Sequence, residues 1–232
     1  MAGWLSKAIA QKKLTPPTTY ISKNDYTANF EDFLDKSDAQ KPWFFWMGFE
    51  EPHRAYEYKS GITKGGKKSE MIDKVPAYYP DVLESRIDLL DYAMEIEYMD
   101  SHIVKTLETL KKKNLLDNTL IVVTSDHGMP FPRVKGNQYE NANHIPMAIM
   151  WQGKIKTTNR IINDYVNFTD LAPTFLEIAG ITEKKSGMRP IQGKSILPLL
   201  FSNKSGQIDP KRNYQLVGQE RHDFGRPNDE GY

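Results

Sequence analysis

Thr119-Leu120-Ile121-Val122-Val123-Thr124 is apolar or β-branched throughout, and it runs without a break into Ser125-Asp126-His127-Gly128. A strand with no polar face has to be covered on both sides, the condition of a strand held between helix layers. Trp43-Phe44-Phe45-Trp46-Met47-Gly48-Phe49 is a second run of this kind, and Pro146-Met147-Ala148-Ile149-Met150-Trp151 a third. A fourth strand is expected over 213–218. Between the first two runs, Leu83, Ile87, Leu90 and Met94 step by threes and fours, and Ile96, Met99, Ile103, Leu107 and Leu110 continue the pattern. This predicts a helix over 84–113, about 45 Å long, with His102 on its solvated face. Asn24 is placed to cap a helix ending near residue 37, and Thr169 one that stops at Gly180. Strands alternating with helices predict an α/β fold with a mainly parallel sheet flanked by helices.

Charge and hydropathy narrow the function classes. The 232 residues carry 31 Lys+Arg against 30 Asp+Glu, a formal net charge of +1, which leaves no basic excess for a nucleic-acid partner. Mean hydropathy is −0.61, and no apolar run reaches the roughly 18 residues a membrane span needs. Cysteine is absent, which excludes disulfides, zinc–thiolate sites and a cysteine nucleophile acting as such. Near the start, Lys7, Lys12 and Lys13 interrupt or follow a very short apolar stretch, so no secretory signal is visible. Residues 1–23 are taken as a segment of uncertain start, 24–205 as part of an α/β domain, and 206–232 as the opening of a further region.

Ligands of open α/β sheets bind beyond the carboxyl ends of the strands, where Asp126-His127-Gly128 stands. An aspartate there offers a hard anionic oxygen, and a histidine beside it a second ligand or a proton carrier. The alternative is a turn cap with a satisfied polar neighbour. The loop over 129–146 is long for a compact domain, and loops of that length usually carry function. It brings Arg133, Lys135 and His144 close to Asp126 in sequence, and cations beside a metal ligand suit a tetrahedral oxyanion.

These residues resemble the sulfatase family of the alkaline-phosphatase-like superfamily. The resemblance is carried by Thr124-Ser125-Asp126-His127-Gly128, by Lys135 with Tyr139-Glu140, and by Ile145-Pro146 opening a hydrophobic strand. Glu51-Pro52-His53-Arg54, Asp170-Leu171-Ala172-Pro173-Thr174 and Gly193-Lys194-Ser195-Ile196-Leu197-Pro198 agree with it. Pro130-Phe131-Pro132 and Gln219-Glu220-Arg221-His222-Asp223 are shared with its bacterial heparan N-sulfatase-like members. The resemblance implies a periplasmic or extracellular hydrolase of sulfate esters or sulfamates on glycosaminoglycan-type sugars, N-sulfoglucosamine among them. It implies a divalent cation, calcium in most members, with Asp126 and His127 as one pair of its ligands. Lys135 matches the residue that holds the sulfate oxygens, and His53 the proton donor near the leaving group. Arg54, Arg133, Arg221 and His222 are candidates for contacting an anionic sugar.

The family's nucleophile is a formylglycine made from a Cys/Ser-x-Pro-x-Arg motif, and no such motif occurs here. The first metal-ligand pair, usually adjacent aspartates, also has no counterpart. The chain is therefore expected to hold an incomplete sulfatase core and to be inactive alone. Two other activities fit the same residues: a phosphohydrolase or phosphodiesterase of the same superfamily, and a non-catalytic protein binding anionic sugars.

Overall fold

The structure, a computed structural model, describes residues 11–218. The chain divides into two compact units. One holds the residues up to Leu115 together with Met129–Lys135, and the other holds Leu116–Gly128 and the residues from Gly136 onward.

In the first unit, α1 (Tyr26–Lys36) starts one residue later than expected, with Asp25 as its cap, whose carboxylate accepts from the Ala28 N–H at 3.0 Å. Phe30 and Phe33 are buried on α1, with the Trp43 and Phe45 rings 4.9–5.9 Å away. This contact orders the first apolar run only on one side. Trp43, Phe45, Met47 and Phe49 are half-buried, whereas Phe44 is 64% and Trp46 79% exposed. Burial on both faces was expected, and the segment is instead extended with the period-two alternation of a one-sided strand, without a sheet partner among the described residues.

After the short α2 (Ser60–Thr63) comes the long helix α3 (Leu83–Lys112), within a residue of the predicted span. A Cβ at Gly61 would lie 2.3 Å from the Leu90 carbonyl oxygen, so only glycine lets α2 approach α3 this closely. The buried side of α3 carries Ile87, Leu90, Met94 and Leu110, and between them the polar Asp91, Glu95, His102 and Thr109. Partners come from other elements. Asp91 accepts the Lys59 and Gly61 N–H groups at 2.9 and 2.7 Å. Thr109 donates to Glu31 at 2.8 Å, and His102 Nδ1 lies 3.0 Å from the Thr27 hydroxyl. His102 is thus 2% exposed rather than solvated.

In the second unit, β1 (Ile121–Thr124) pairs with β2 (Met147–Met150) antiparallel, Ile121 opposite Met150 and Thr124 opposite Met147. This corrects the expected parallel arrangement for these strands. A parallel pair needs a crossover, usually through a helix laid on the sheet. The connection here contains only the short α4 (Glu140–Asn143) and returns the chain beside β1. The expected strand over 213–218 is exposed and belongs to no sheet. The core of this unit is Ile196, Leu197, Leu199 and Leu200, in or beside α7 (Leu197–Phe201). Ile149 of β2 and Leu171 and Ile178 of α5 (Leu171–Ile178) pack against it, and α6 (Glu183–Ser186) follows α5.

Candidate functional site

Two turns carry the candidate residues, one in each unit. In the second unit β1 ends at Thr124, whose hydroxyl donates to the Pro146 carbonyl at 2.9 Å and ties the strand end to the start of β2. The Ser125 hydroxyl donates to the His127 carbonyl at 2.8 Å, and the Gly128 N–H reaches Ala142 O at 3.2 Å. Asp126 projects from this turn with its side chain 83% exposed, and His127 Nε2 stands 3.5 Å from Asp126 Oδ2. His127 Nδ1 lies 2.7 Å from the Gly128 carbonyl oxygen. That oxygen accepts only, so Nδ1 carries a proton toward it, and Nε2 is the ring nitrogen turned to the carboxylate. A backbone carbonyl holding the second ring nitrogen is the usual way a metal-binding histidine is oriented.

The pair therefore fits one flank of a divalent-cation site, with one oxygen and one nitrogen donor. Calcium takes six to eight oxygen ligands. No cluster of three or more His, Asp or Glu able to hold a metal occurs among the described residues. Asp126 and His127 are a partial donor set.

His53, Arg54, Arg133 and Lys135 belong to the first unit. His53 is exposed at the end of a turn closed by its own N–H donating to Glu50 O at 2.8 Å. Arg54 pairs with Asp88 on α3 at 2.8 Å, and its guanidinium lies 5.3 Å from the Tyr56 ring centre and 5.4 Å from that of Phe131. Partial burial works against its charge, but the Asp88 carboxylate outweighs this and holds the guanidinium pKa above its ordinary value.

Phe131 explains why 129–135 belongs to this unit. It is 3% exposed, its ring centre 5.4 Å from those of Tyr79 and Tyr92, and Val134 is fully buried. These two anchors hold the segment on which Arg133 and Lys135 are exposed. The Lys135 N–H closes the segment on Met129 O at 3.3 Å. Arg54 and the segment carrying Arg133 and Lys135 are thus joined through Phe131. His144, in the second unit, is exposed and pairs with Glu140 at 2.7 Å. Arg221 and His222 lie outside the described residues.

Sequence reasoning missed Asp88 and the anchoring role of Phe131. An aromatic between two prolines in a polar loop was the available sign, because such a loop gains nothing from a large apolar side chain unless it is buried.

Solved structures show the same fold. The sulfatase yidJ from Bacteroides fragilis, described as putative, superposes with a TM-score of 0.61 at 22% identity, over 78% of this chain and 41% of that one. A phosphonate monoester hydrolase from Silicibacter pomeroyi gives 0.53 at 20% identity, over 83% and 46%. The fold is the alkaline-phosphatase-like one of these structures.

Residues 3–181 match the Sulfatase family model, and the chain belongs to that family. It is 28% identical over 192 residues to human N-sulphoglucosamine sulphohydrolase, covering 72% of this chain and 38% of that protein. It is 34% identical over 161 residues to rat arylsulfatase K, covering 66% and 25%. The chain therefore spans well under half the length of these relatives.

Proposed function

We propose that this chain supplies the leaving-group and sulfate-holding side of a hydrolase of sulfate esters or sulfamates on glycosaminoglycan-type sugars, with N-sulfoglucosamine as a substrate. The observation that carries this is the turn after β1, where His127 Nε2 stands beside the Asp126 carboxylate inside the family-matched region. His53 hands a proton to the departing oxygen or, for a sulfamate, the departing nitrogen, since an imidazole exchanges protons near neutral pH. Lys135 holds the sulfate oxygens as a point charge, and Arg54, Arg133, Arg221 and His222 are the candidates for binding anionic groups of the sugar. Asp126 and His127 contribute to a divalent-cation site, calcium by family habit, and a cation bound there would act as a Lewis acid. A formylglycine nucleophile belongs to family chemistry that no residue of these 232 provides. The extracellular members among its relatives, such as a Drosophila SULF-1 homologue described as an extracellular sulfatase, support work outside the cytoplasm.

The test is titration of the full chain with N-sulfoglucosamine, followed by heteronuclear NMR, beside a turnover assay. Binding weakened at least ten-fold by Lys135→Ala, with no release of sulfate, is the expected result. Unchanged binding in Lys135→Ala refutes the assignment of Lys135, and sulfate release by the purified chain refutes its inactivity. The nitrogen donor of His127 also favours a zinc phosphohydrolase. Tighter binding of an aryl phosphate than of the sulfated sugar would select that alternative.

A further inference from the structure

His53 is exposed, and the turn that carries it is tied into the unit by buried side chains remote in sequence. Glu51, two residues before it, is 5% exposed. One oxygen of Glu51 accepts the Ser22 N–H at 2.7 Å, and the other accepts the Tyr26 hydroxyl at 2.8 Å. The Tyr26 oxygen in turn accepts the Glu50 N–H at 3.0 Å, so a single hydroxyl bridges consecutive residues of the turn. The Glu50 carbonyl accepts from the His53 N–H, and the Tyr56 hydroxyl donates to the Pro52 carbonyl at 3.0 Å. Tyr26 is 6% exposed and wedged against Phe49 and His102, its ring centre 4.5 and 5.4 Å from theirs.

A turn on the surface needs none of this to exist. Water would satisfy its backbone, and burying a carboxylate is costly unless its oxygens are bonded. Here a buried carboxylate is spent on the turn, and charge-assisted bonds to an anionic oxygen are short and directional. The arrangement holds the Cα of His53 in place while leaving its ring free to meet a ligand.

We infer that Tyr26 and Glu51 are positioning residues for His53, a clamp that presets the imidazole toward the leaving group of a sulfated sugar. This rests on the proposed role of His53. Proton transfer requires the donor atom within hydrogen-bond reach of the acceptor, and a preset turn removes the entropy of finding that geometry from the reaction step.

The experiment uses the full chain with two NMR readouts. One is hydrogen exchange of the His53 amide, and the other is the shift of the His53 ring signal on titration with N-sulfoglucosamine. Tyr26→Phe keeps the packed ring and removes the bridging hydroxyl. Glu51→Gln keeps an acceptor for Ser22 and loses the charge, and Glu51→Ala loses both bonds. The expected results are His53 amide exchange at least ten-fold faster in Tyr26→Phe and Glu51→Ala, and ligand affinity read at the His53 ring at least five-fold weaker. Glu51→Gln should recover part of each. The Gly61 amide, held by Asp91, should keep its protection, which separates local release from general unfolding. A wild-type His53 ring unmoved by ligand overturns the role of His53, and the positioning role with it. A ring that responds with equal affinity in wild type, Tyr26→Phe and Glu51→Ala overturns the clamp alone and leaves the role of His53 standing.

Discussion

The two units each bury a carboxylate, and the two behave in opposite ways. Asp170, beside α5 in the second unit, is 6% exposed, and Glu95 on α3 in the first is 3% exposed. Asp170 accepts the Lys194 N–H at 2.7 Å, the Asn167 N–H at 3.0 Å and Arg212 Nη1 at 2.8 Å. Burial alone would raise its pKa, but these donors outweigh burial and hold it below the ordinary aspartate value. Glu95 Oε1 has no hydrogen-bond partner among the described residues. Burial, with the Glu51 and Asp91 carboxylates nearby, pushes its pKa up to about 8. Two buried carboxyls are thus shifted in opposite directions, Asp170 toward the anion and Glu95 toward the neutral acid. The donors within reach decide the outcome.

The largest effect is expected from removing the partner in the second unit. Arg212→Ala leaves Asp170 charged and buried and also removes donors to the Lys194 and Ser195 carbonyls. Breaking one side of a buried pair costs about 3–5 kcal/mol. In urea unfolding, the Arg212→Ala chain should lose stability by that amount at pH 7. The loss on acidification should also begin at higher pH. For wild type, the folded pKa is lowered, so the contribution of Asp170 is present above its unfolded value of 3.8 and is lost as pH falls through the folded value. A change under about 1 kcal/mol would show that the backbone donors alone suffice and would weaken the contrast with Glu95.

Glu95 gives the opposite slope. Its folded pKa of about 8 lies above the ordinary glutamate value of 4.5, so the folded state binds the proton more tightly than the unfolded one. Stability from this group is complete below 4.5 and is lost as pH rises through about 8. The total is on the order of 3–5 kcal/mol, because each pH unit of separation is worth about 1.4 kcal/mol. Glu95→Gln removes the titrating proton, so its urea midpoint should stay level between pH 5 and 9 where the wild type declines. A wild-type midpoint that is flat over this interval would mean that Glu95 finds a donor, and the two acids would then be alike.

How far these features were legible in the sequence follows the same division between local pattern and partner. The long helix was readable because its apolar residues repeat within the element itself, and α3 lies within a residue of the expected span. The burial of Glu95 and His102 was not readable, because what covers a polar side chain comes from elsewhere, as Thr27 on α1 does for His102.

 The turn after β1 was legible because Asp126-His127-Gly128 is contiguous and sits where an apolar run ends. The direction of strand pairing was not, because a strand's own residues do not state which neighbour it takes. The aromatics of 43–49 led to an expectation of cover on both faces, and that one side stays open was not readable, since it depends on α1 packing against Trp43 and Phe45. Lys135 and His53 are candidates by residue type and family order. What holds them, Phe131 for one and Tyr26 with Glu51 for the other, is tertiary.

The smallest effect tests whether partners matter as much where water competes. Arg54 and Asp88 form a 2.8 Å ion pair in the first unit, with side chains 48% and 32% exposed. Here each charge keeps part of its hydration, so pairing replaces water contacts instead of rescuing a buried ion, and such pairs are worth under about 1 kcal/mol. Asp88→Asn should therefore move the urea midpoint little, and raising the salt concentration should shrink even that difference. Arg54 should keep its place against Phe131 and Tyr56, because ring contacts hold the guanidinium independently of the carboxylate. A loss of several kcal/mol in Asp88→Asn would place this pair with Asp170 and Arg212. Donor supply would then govern carboxylates in this protein whether or not water reaches them.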